Sequence, residues 1–161
     1  MTKNSNLTFN SSLEVGLRSL SLLRSAYPKC MDLNHLVLLD FIVTHTDSFG
    51  GLPSLHSKNR YKPTELLVRR PLIEEGLKLL AKKGLIEVIV TDEGFFYIAG
   101  DSSNTFFGAL MSEYYIQQNA RSDWVVNKYG NLNFIELKSE VNKIFEEWIE
   151  EFHSDIDEKL L

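Results

Sequence analysis

The sequence Gly84-Leu-Ile-Glu-Val-Ile-Val90, continued by Thr91-Asp-Glu-Gly94 and Phe95-Phe-Tyr-Ile-Ala99, is where the hydrophobic pattern changes from helical to strand period. Two runs of β-branched and aromatic residues separated by a tight-turn sequence predict a β-hairpin. Gly84 is placed to end the preceding helix, because glycine readily adopts the left-handed conformation found just after a helix C-terminus. Helices followed by a two-stranded wing give the element order of a winged-helix domain, which usually forms a docking surface for DNA or for another protein.

Three helices are predicted between Asp32 and the hairpin. Asp32 is a suitable N-cap for a helix over residues 33–44, and a short helix covers residues 64–70. Pro71 is predicted to separate this short helix from a third helix over residues 72–83, because proline is favoured in the first turn of a helix. The 33–44 helix is apolar almost all round, which predicts a central, buried position.

Asp40 is the exception within this apolar helix. A carboxylate in such a run needs a charged or hydrogen-bonding partner if it is buried. We expect Arg69 or Arg70 to supply that partner.

Length and composition are those of a globular protein. The chain has 161 residues, of which 43% are hydrophobic and 24% are charged, and this length can bury a substantial core. The single cysteine, Cys30, excludes an internal disulfide framework. The sequence shows neither a signal peptide nor an apolar run long enough to span a bilayer. We therefore predict a soluble, cytoplasmic protein without a membrane partner.

Charge is polarised along the chain, although the formal net charge is only −5. Residues 58–83 contain eight basic and three acidic residues, whereas residues 131–161 contain nine acidic residues and three lysines. The basic residues of the first segment are Lys58, Arg60, Lys62, Arg69, Arg70, Lys78, Lys82 and Lys83. A chain of this kind can offer a basic face to one partner and an acidic face to another.

Three regions are predicted along the chain, and together they define a mainly α fold of the α+β class. Residues 1–10 form a flexible N-terminus. Residues 11–100 form the winged-helix core, which begins with a helix that is capped by Ser11 and runs to about Ala26. Residues 101–161 form a C-terminal helical extension packed on the core.

The last helix of this extension is predicted over residues 134–157. Its apolar stripe is expected to pack on the domain while its acidic face contacts water. Alternatively, Trp148 or the pair Phe106 and Phe107 contributes an aromatic anchor to a partner.

Nucleotide and metal sites are poorly supported. The glycines Gly50 and Gly51 are not followed by the Gly-Lys-Ser/Thr of a phosphate-binding loop. The potential ligands near this loop, Cys30, His45, Asp47 and His56, match no established zinc spacing, so structural roles are favoured for both histidines. We predict that the chain has no cofactor and no metal.

A nuclease site is also disfavoured. Glu136 and Lys138, with Asp123 upstream, superficially match the Asp…Glu-x-Lys pattern of metal-dependent nucleases. That chemistry requires the last two residues on one side of a strand, whereas the surrounding pattern is helical and places them on different faces. We predict no catalytic residues and no enzymatic activity, and a hydrolase using Glu136 and Lys138 remains a third, weaker hypothesis.

The basic residues around the predicted third helix have two interpretations. They can contact DNA phosphates as part of a recognition helix, or they can form a solvated or protein-binding face. Glu74 and Glu75 lie on the same helix and would repel phosphates, and the helix lacks the Asn and Gln side chains that read bases. A solvated face or a protein contact is therefore favoured over sequence-specific DNA binding.

Several stretches of the sequence together resemble one protein family. They are Leu13-Glu-Val-Gly-Leu-Arg-Ser-Leu20 with Ala26-Tyr-Pro28; Asp32-Leu33 with Leu36 and Asp40; Gly50-Gly-Leu-Pro-Ser-Leu-His56; Glu65-Leu-Leu-Val-Arg-Arg70 with Glu75-Gly-Leu77; Gly84-Leu85; and Ser122-Asp-Trp-Val-Val126 with Tyr129-Gly130. In these stretches the chain resembles the middle component of ABC three-component systems, the small accessory subunit of Lamassu-type defence operons. The resemblance covers most of the chain and includes no catalytic signature.

The resemblance implies a non-enzymatic subunit of an antiviral defence complex. Its partners would be an SMC- or Rad50-like ABC ATPase and an effector, often a nuclease, which together act against phage or plasmid DNA. DNA would be reached through the complex. The candidate partner- or DNA-contact residues are Arg69, Arg70, Lys78, Lys82, Lys83, Gly50, Gly51, His56 and Trp148. The alternative function is that of a winged-helix transcription regulator, which would dimerise and bind DNA directly.

Overall fold

The computed structural model describes residues 11–56 and 64–160, so the predicted flexible N-terminus and Lys58, Arg60 and Lys62 lie outside it. The elements in chain order are α1 (Ser12–Ala26), α2 (Leu33–Thr44), a 3-10 turn (Thr46–Phe49), α3 (Thr64–Lys82), β1 (Ile86–Thr91), β2 (Gly94–Ala99), α4 (Ser103–Ala109), α5 (Glu113–Tyr129) and α6 (Phe134–Leu160). The predicted mainly helical fold with one hairpin and C-terminal helices is confirmed. The order from α1 to β2 is compatible with the predicted winged-helix arrangement.

Side-chain caps explain where the first two helices begin. The Ser11 hydroxyl accepts a hydrogen bond from the backbone N–H of Glu14 at 3.3 Å. Asp32 accepts one from the N–H of His35 at 2.8 Å. Both caps satisfy backbone donors that have no partner inside the helix, and both were predicted.

Pro71 does not divide the third helical region, and this prediction was wrong. α3 is continuous from Thr64 to Lys82 and contains Pro71 in its eighth position. Proline lacks an N–H, so the carbonyl of Leu67 loses its helical partner. Leu67 and Pro71 both face solvent, where water can satisfy that carbonyl, and the helix therefore continues past the proline.

The hairpin follows α3 through Gly84, which has a φ of 74° as expected for a residue just after a helix C-terminus. β1 and β2 pair antiparallel from Ile86 opposite Ala99 to Thr91 opposite Gly94. On the other side of β2, Met31 and Tyr97 form an isolated antiparallel bridge, with N–H to C=O distances of 2.9 and 2.8 Å. This bridge attaches the hairpin to the segment between α1 and α2.

α2 occupies the centre of the core, as predicted, because residues 36–44 are all buried. α1 and α3 cross closely where Gly16 meets Gly76. A Cβ atom on Gly76 would lie 2.3 Å from the carbonyl oxygen of Ser12 and 2.7 Å from the Cα of Gly16. Only glycine permits this backbone approach, which brings α3 against α1.

The C-terminal helices pack on this core. α5 contacts α1 through polar groups, since the Ser21 hydroxyl lies 2.8 Å from that of Ser122 and Ser25 donates to Asp123 at 2.5 Å. α6 contributes the predicted apolar stripe, and Leu137, Val141, Ile144 and Phe145 are among its buried members. We call these packed helices the framework. Their contacts fix the positions of α1, α2 and α3, and the hairpin lies at the side of the framework.

Candidate partner-binding surface

Two arginines enclose the carboxylate of Asp40 inside the helical framework. Arg18 donates from Nε to Oδ1 at 2.7 Å and from Nη2 to Oδ2 at 3.2 Å. Arg69 donates from Nη1 to Oδ2 at 2.6 Å. All three side chains are buried, and they come from α1, α2 and α3. The predicted pairing of Asp40 is therefore confirmed for Arg69, and Arg18 is an additional partner that the sequence interpretation missed.

We call Asp40, Arg18 and Arg69 the ionic centre. Their opposite charges stabilise one another. Burial alone would raise the pKa of Asp40, but the positive charges and hydrogen bonds of Arg18 and Arg69 outweigh it and lower that pKa below its usual value. Burial would likewise lower the pKa of Arg18, and the nearby carboxylate raises it instead. Asp40 and Arg18 therefore remain ionised at neutral pH.

Polar and aromatic contacts extend the ionic centre toward α6. Arg69 also donates to the Thr44 hydroxyl at 3.0 Å. His45 stacks on Phe41 with a ring-centroid distance of 4.5 Å, and Trp148 of α6 packs edge-on against His45 at 5.4 Å. Trp148 was predicted as a partner anchor, and in this structure its ring packs against those of Phe41 and His45.

The loop of residues 50–56 lies on α5. Arg121 donates from Nε to the carbonyl of Pro53 at 2.8 Å. A Cβ atom on Gly51 would lie 2.6 Å from the indole ring of Trp124, so the loop backbone rests directly on that ring. Two of the stretches that resemble the family, the glycine loop and the Ser-Asp-Trp-Val-Val sequence, thus contact each other.

Two further residues of this loop region were predicted as contacts, and both have intramolecular roles here. Gly50 has a φ of 79°, which turns the chain so that Lys128 can donate from Nζ to the carbonyl of Phe49 at 2.8 Å. His56 lies with Nε2 at 3.3 Å from the Tyr114 hydroxyl. Burial, together with the positive charge of Arg18, lowers the pKa of His56 to about 4, so this imidazole is neutral at pH 7.

The basic candidates around α3 differ in their surroundings. Arg69 is buried in the ionic centre, whereas Arg70 is exposed and donates to the side chain of Asn34. Lys78 lies 3.5 Å from Glu74 in a solvent-exposed pair. Lys82 and Lys83, also exposed, stand at the end of α3 where the chain enters the hairpin. Direct contact of these residues with a partner remains a prediction.

The hairpin exposes hydrophobic side chains that the framework does not cover. Val88 is 44% exposed, Val90 71% and Phe95 61%. Val90 lies opposite Phe95, and Val88 lies opposite the buried Tyr97, so the three exposed residues share one face of the sheet. We call Val88, Val90 and Phe95 the wing patch. It continues the buried face of the hairpin outward into solvent, as is typical of an interaction site.

The sequence contained a signal for exposed apolar side chains on the hairpin that was not used for the prediction. A strand with one buried and one solvated face alternates apolar and polar residues. The run Val88-Ile-Val90 does not alternate, so apolar residues must occupy both faces of β1. Because the framework covers only the base of the hairpin, at Ile86 and Tyr97, the remainder is exposed.

The hydrolase hypothesis gains no support from the described residues. They contain no group of three or more His, Cys, Asp or Glu side chains that could hold a metal ion. Glu136 lies on α6, where it forms a reciprocal cap with Asn133. The Asn133 side chain accepts a hydrogen bond from the N–H of Glu136 at 2.9 Å, and the Glu136 carboxylate accepts one from the N–H of Asn133 at 3.2 Å.

Among the described residues, no helix is both long and apolar enough to cross a membrane.

Fold and surface define a mainly helical protein with a buried ionic centre and a hairpin that carries an exposed apolar patch. Comparison with protein families adds its identity: residues 8–151 match the model described as ABC-three component (ABC-3C) system Middle Component 2, and the chain belongs to this family. The resemblance to ABC three-component middle components is thereby confirmed, and membership implies an accessory subunit that works with the other components of such a system. No curated protein and no solved structure matched the chain.

Proposed function

We propose that this protein is a non-catalytic accessory subunit that docks onto an SMC-like ABC ATPase of a Lamassu-type defence complex. Together with an effector nuclease, the complex would act against phage or plasmid DNA. Membership of the middle-component family supports the accessory role. The wing patch is the single observation that carries the docking part, because no surface within residues 11–56 and 64–160 covers its three adjacent apolar side chains.

The proposed docking surface combines the wing patch with the basic end of α3. Lys82 and Lys83 precede the hairpin directly, and both are exposed. An apolar centre with a charged rim is the usual organisation of a protein–protein interface. The surface would therefore fit an acidic partner with a hydrophobic depression, which we assign to the ATPase. Lys78 and Arg70 would extend the same basic face along α3.

The remaining candidates would act indirectly. Gly50, Gly51 and His56 shape the loop that rests on α5, and Trp148 packs on α2. In the proposal they maintain the framework that carries α3 and the hairpin. Arg69 would have the same supporting role through Asp40.

Co-purification with the ATPase encoded beside this chain tests the proposal. The wild-type chain is expected to elute with the ATPase. The double variant Val90→Ser with Phe95→Ser should elute alone, because it removes the apolar centre of the surface. The matched control is Ile135→Ser, which removes an aliphatic side chain that is 78% exposed on α6 and should leave the complex intact.

Charge reversal tests the contribution of the basic rim, Lys82 and Lys83, separately from that of the wing patch. Lys82→Glu with Lys83→Glu should weaken the complex and reduce its dependence on salt, since the favourable charge pairs are lost. If the wild-type chain elutes alone under all salt conditions, the docking proposal fails. If the wing double variant still binds with unchanged affinity, the docking surface lies elsewhere.

The exposed lysines favour a second candidate function, a transcription regulator that binds DNA. Cationic side chains at the end of α3 can contact phosphates. The wing patch argues against this function, because a wing that contacts DNA requires polar or basic groups where this hairpin has valine and phenylalanine. A gel shift with the chain's own operator region distinguishes the two: selective binding that weakens steeply with salt would favour the regulator.

A further inference from the structure

The outer edge of β1 has no strand partner in residues 11–56 and 64–160. β2 covers one side of β1, and the bridge from Met31 covers the far side of β2. In an antiparallel ladder, alternate residues of an edge strand direct their N–H and C=O groups outward. Edge strands are usually protected by lysine, proline or a bulge. Residues 86–91 contain no lysine, proline or bulge, their one charged side chain is that of Glu87, and their pairing with β2 is regular throughout.

The sequence of this edge is nearly symmetric about its centre. In Glu87-Val-Ile-Val-Thr91, Ile89 is flanked by valine on both sides, and the next residue on each side is polar. All five residues are exposed. We propose that β1 pairs antiparallel with β1 of a second copy of this chain, about a two-fold axis through Ile89, and that the two hairpins form one four-stranded sheet.

The symmetric register satisfies both apolar and charged side chains. Val88 of each copy lies opposite Val90 of the other, so apolar residues contact apolar residues. Glu87 lies opposite Thr91, so the single charge of the strand meets a hydroxyl group. Pairs of residues directly opposite one another are the stabilising units of a sheet.

Neighbouring registers are less favourable. An axis through Val90 would leave only residues 89–91 of each β1 paired, because Val88 and Glu87 would lie beside Asp92 and Glu93 of the turn. It would also bring the like charges of Glu87 and Glu93 together, which is unfavourable. An axis through Val88 would place Glu87 opposite Ile89, which leaves the carboxylate without a polar partner on the facing strand. The charge of Glu87 therefore selects the axis through Ile89.

This pairing goes beyond the proposed function and does not depend on it. Residues directly opposite each other share a face, so both copies direct the wing patch to the same side of the joined sheet. The two patches would adjoin across the axis and form a larger apolar surface than one chain offers.

Sedimentation velocity on the purified full chain, over a wide concentration range, tests the pairing. The wild type is expected to shift from the 18.5 kDa monomer toward twice that mass as its concentration rises. Ile89→Lys should raise the dissociation constant about tenfold or more, because it places two like charges across the axis. Ile89→Glu should have the same effect, and an equimolar mixture of the two variants should dimerise again. Ile135→Lys on α6 is the matched control and should dimerise as the wild type does.

Oxidative cross-linking provides a second measurement that does not depend on how the charged variants fold. In a Cys30→Ser background, Ile89→Cys should form a covalent dimer, because the two copies of this position face each other. Glu87→Cys should cross-link far less, because it faces Thr91. A chain that stays monomeric at all concentrations would overturn the proposal, and so would a dimer that neither Ile89 variant weakens or a mixture that does not recover.

Discussion

The interior around Asp40 and the outer part of the hairpin reverse the usual distribution of side chains. Charged groups of α1, α2 and α3 meet inside the framework, whereas Val90 and Phe95 are left in solvent. Burying ions costs desolvation energy, so the ionic centre contributes less net stability than a hydrophobic cluster of the same size. It does specify geometry, because each guanidinium bonds in a fixed orientation. The interior thus fixes how three helices meet, and the wing patch contributes little to folding and remains available for binding.

The largest expected effect comes from opening the ionic centre. Asp40→Asn keeps the shape of the side chain but removes the charge that two buried arginines contact. We expect the free energy of unfolding, measured by urea denaturation, to fall by about 3–5 kcal/mol. The control is Glu74→Gln, which breaks the exposed pair with Lys78 and should cost less than about 0.5 kcal/mol. Equal effects of the two variants would contradict the distinction between interior and surface charges.

The crossing of α1 and α3 gives the next largest effect. Gly76→Ala places a methyl group on the backbone of Ser12, and relieving that overlap should cost about 2–3 kcal/mol of unfolding free energy. Gly108→Ala is the matched control, because a Cβ there meets no atom within 4 Å and alanine favours the helical conformation of α4. It should leave stability unchanged or raise it by up to about 1 kcal/mol. A Gly76→Ala chain as stable as the control would show that the helices can separate without cost.

His56 makes the stability of the framework depend on pH. Its pKa is about 4 in the folded chain against an ordinary value of 6.5, so the unfolded chain binds the proton more readily. The contribution of His56 is complete above pH 6.5 and is lost as pH falls from 6.5 toward 4, with a slope of up to about 1.4 kcal/mol per pH unit. Urea unfolding at a series of pH values should show this slope in the wild type and a smaller slope in His56→Gln. Identical slopes would mean that another group titrates.

Much of the fold could be predicted because its signals are local. Ser11, Asp32 and Gly84 act on the few residues beside them, and each occupies the predicted position in the structure. Pro71 was misinterpreted because its effect depends on which side of α3 faces solvent. The sequence around a proline does not contain that information, whereas the assembled framework does.

The candidate site was less predictable because it depends on tertiary contacts. Arg18 is 22 positions from Asp40, and no spacing rule connects residues on separate helices. The same limitation applies to Gly51, whose small size is required by Trp124 on a distant helix. The composition of β1 did predict a strand, but the exposed part of the hairpin could be located only once its covered base, at Tyr97, was known.

Substitutions in the wing patch are expected to have the smallest effect on stability, and this distinguishes the patch from the interior. In Val90→Ser with Phe95→Ser, the altered side chains are already largely exposed in the folded chain, so unfolding changes their hydration little. We expect the free energy of unfolding to change by less than about 0.5 kcal/mol per site, although binding to the ATPase should be lost. Tyr97→Ser, on the same face of β2 but buried, is the control and should cost about 3 kcal/mol or more. If the double variant destabilises the chain as much as Tyr97→Ser does, the patch is part of the folding core, and loss of binding could then be attributed to unfolding.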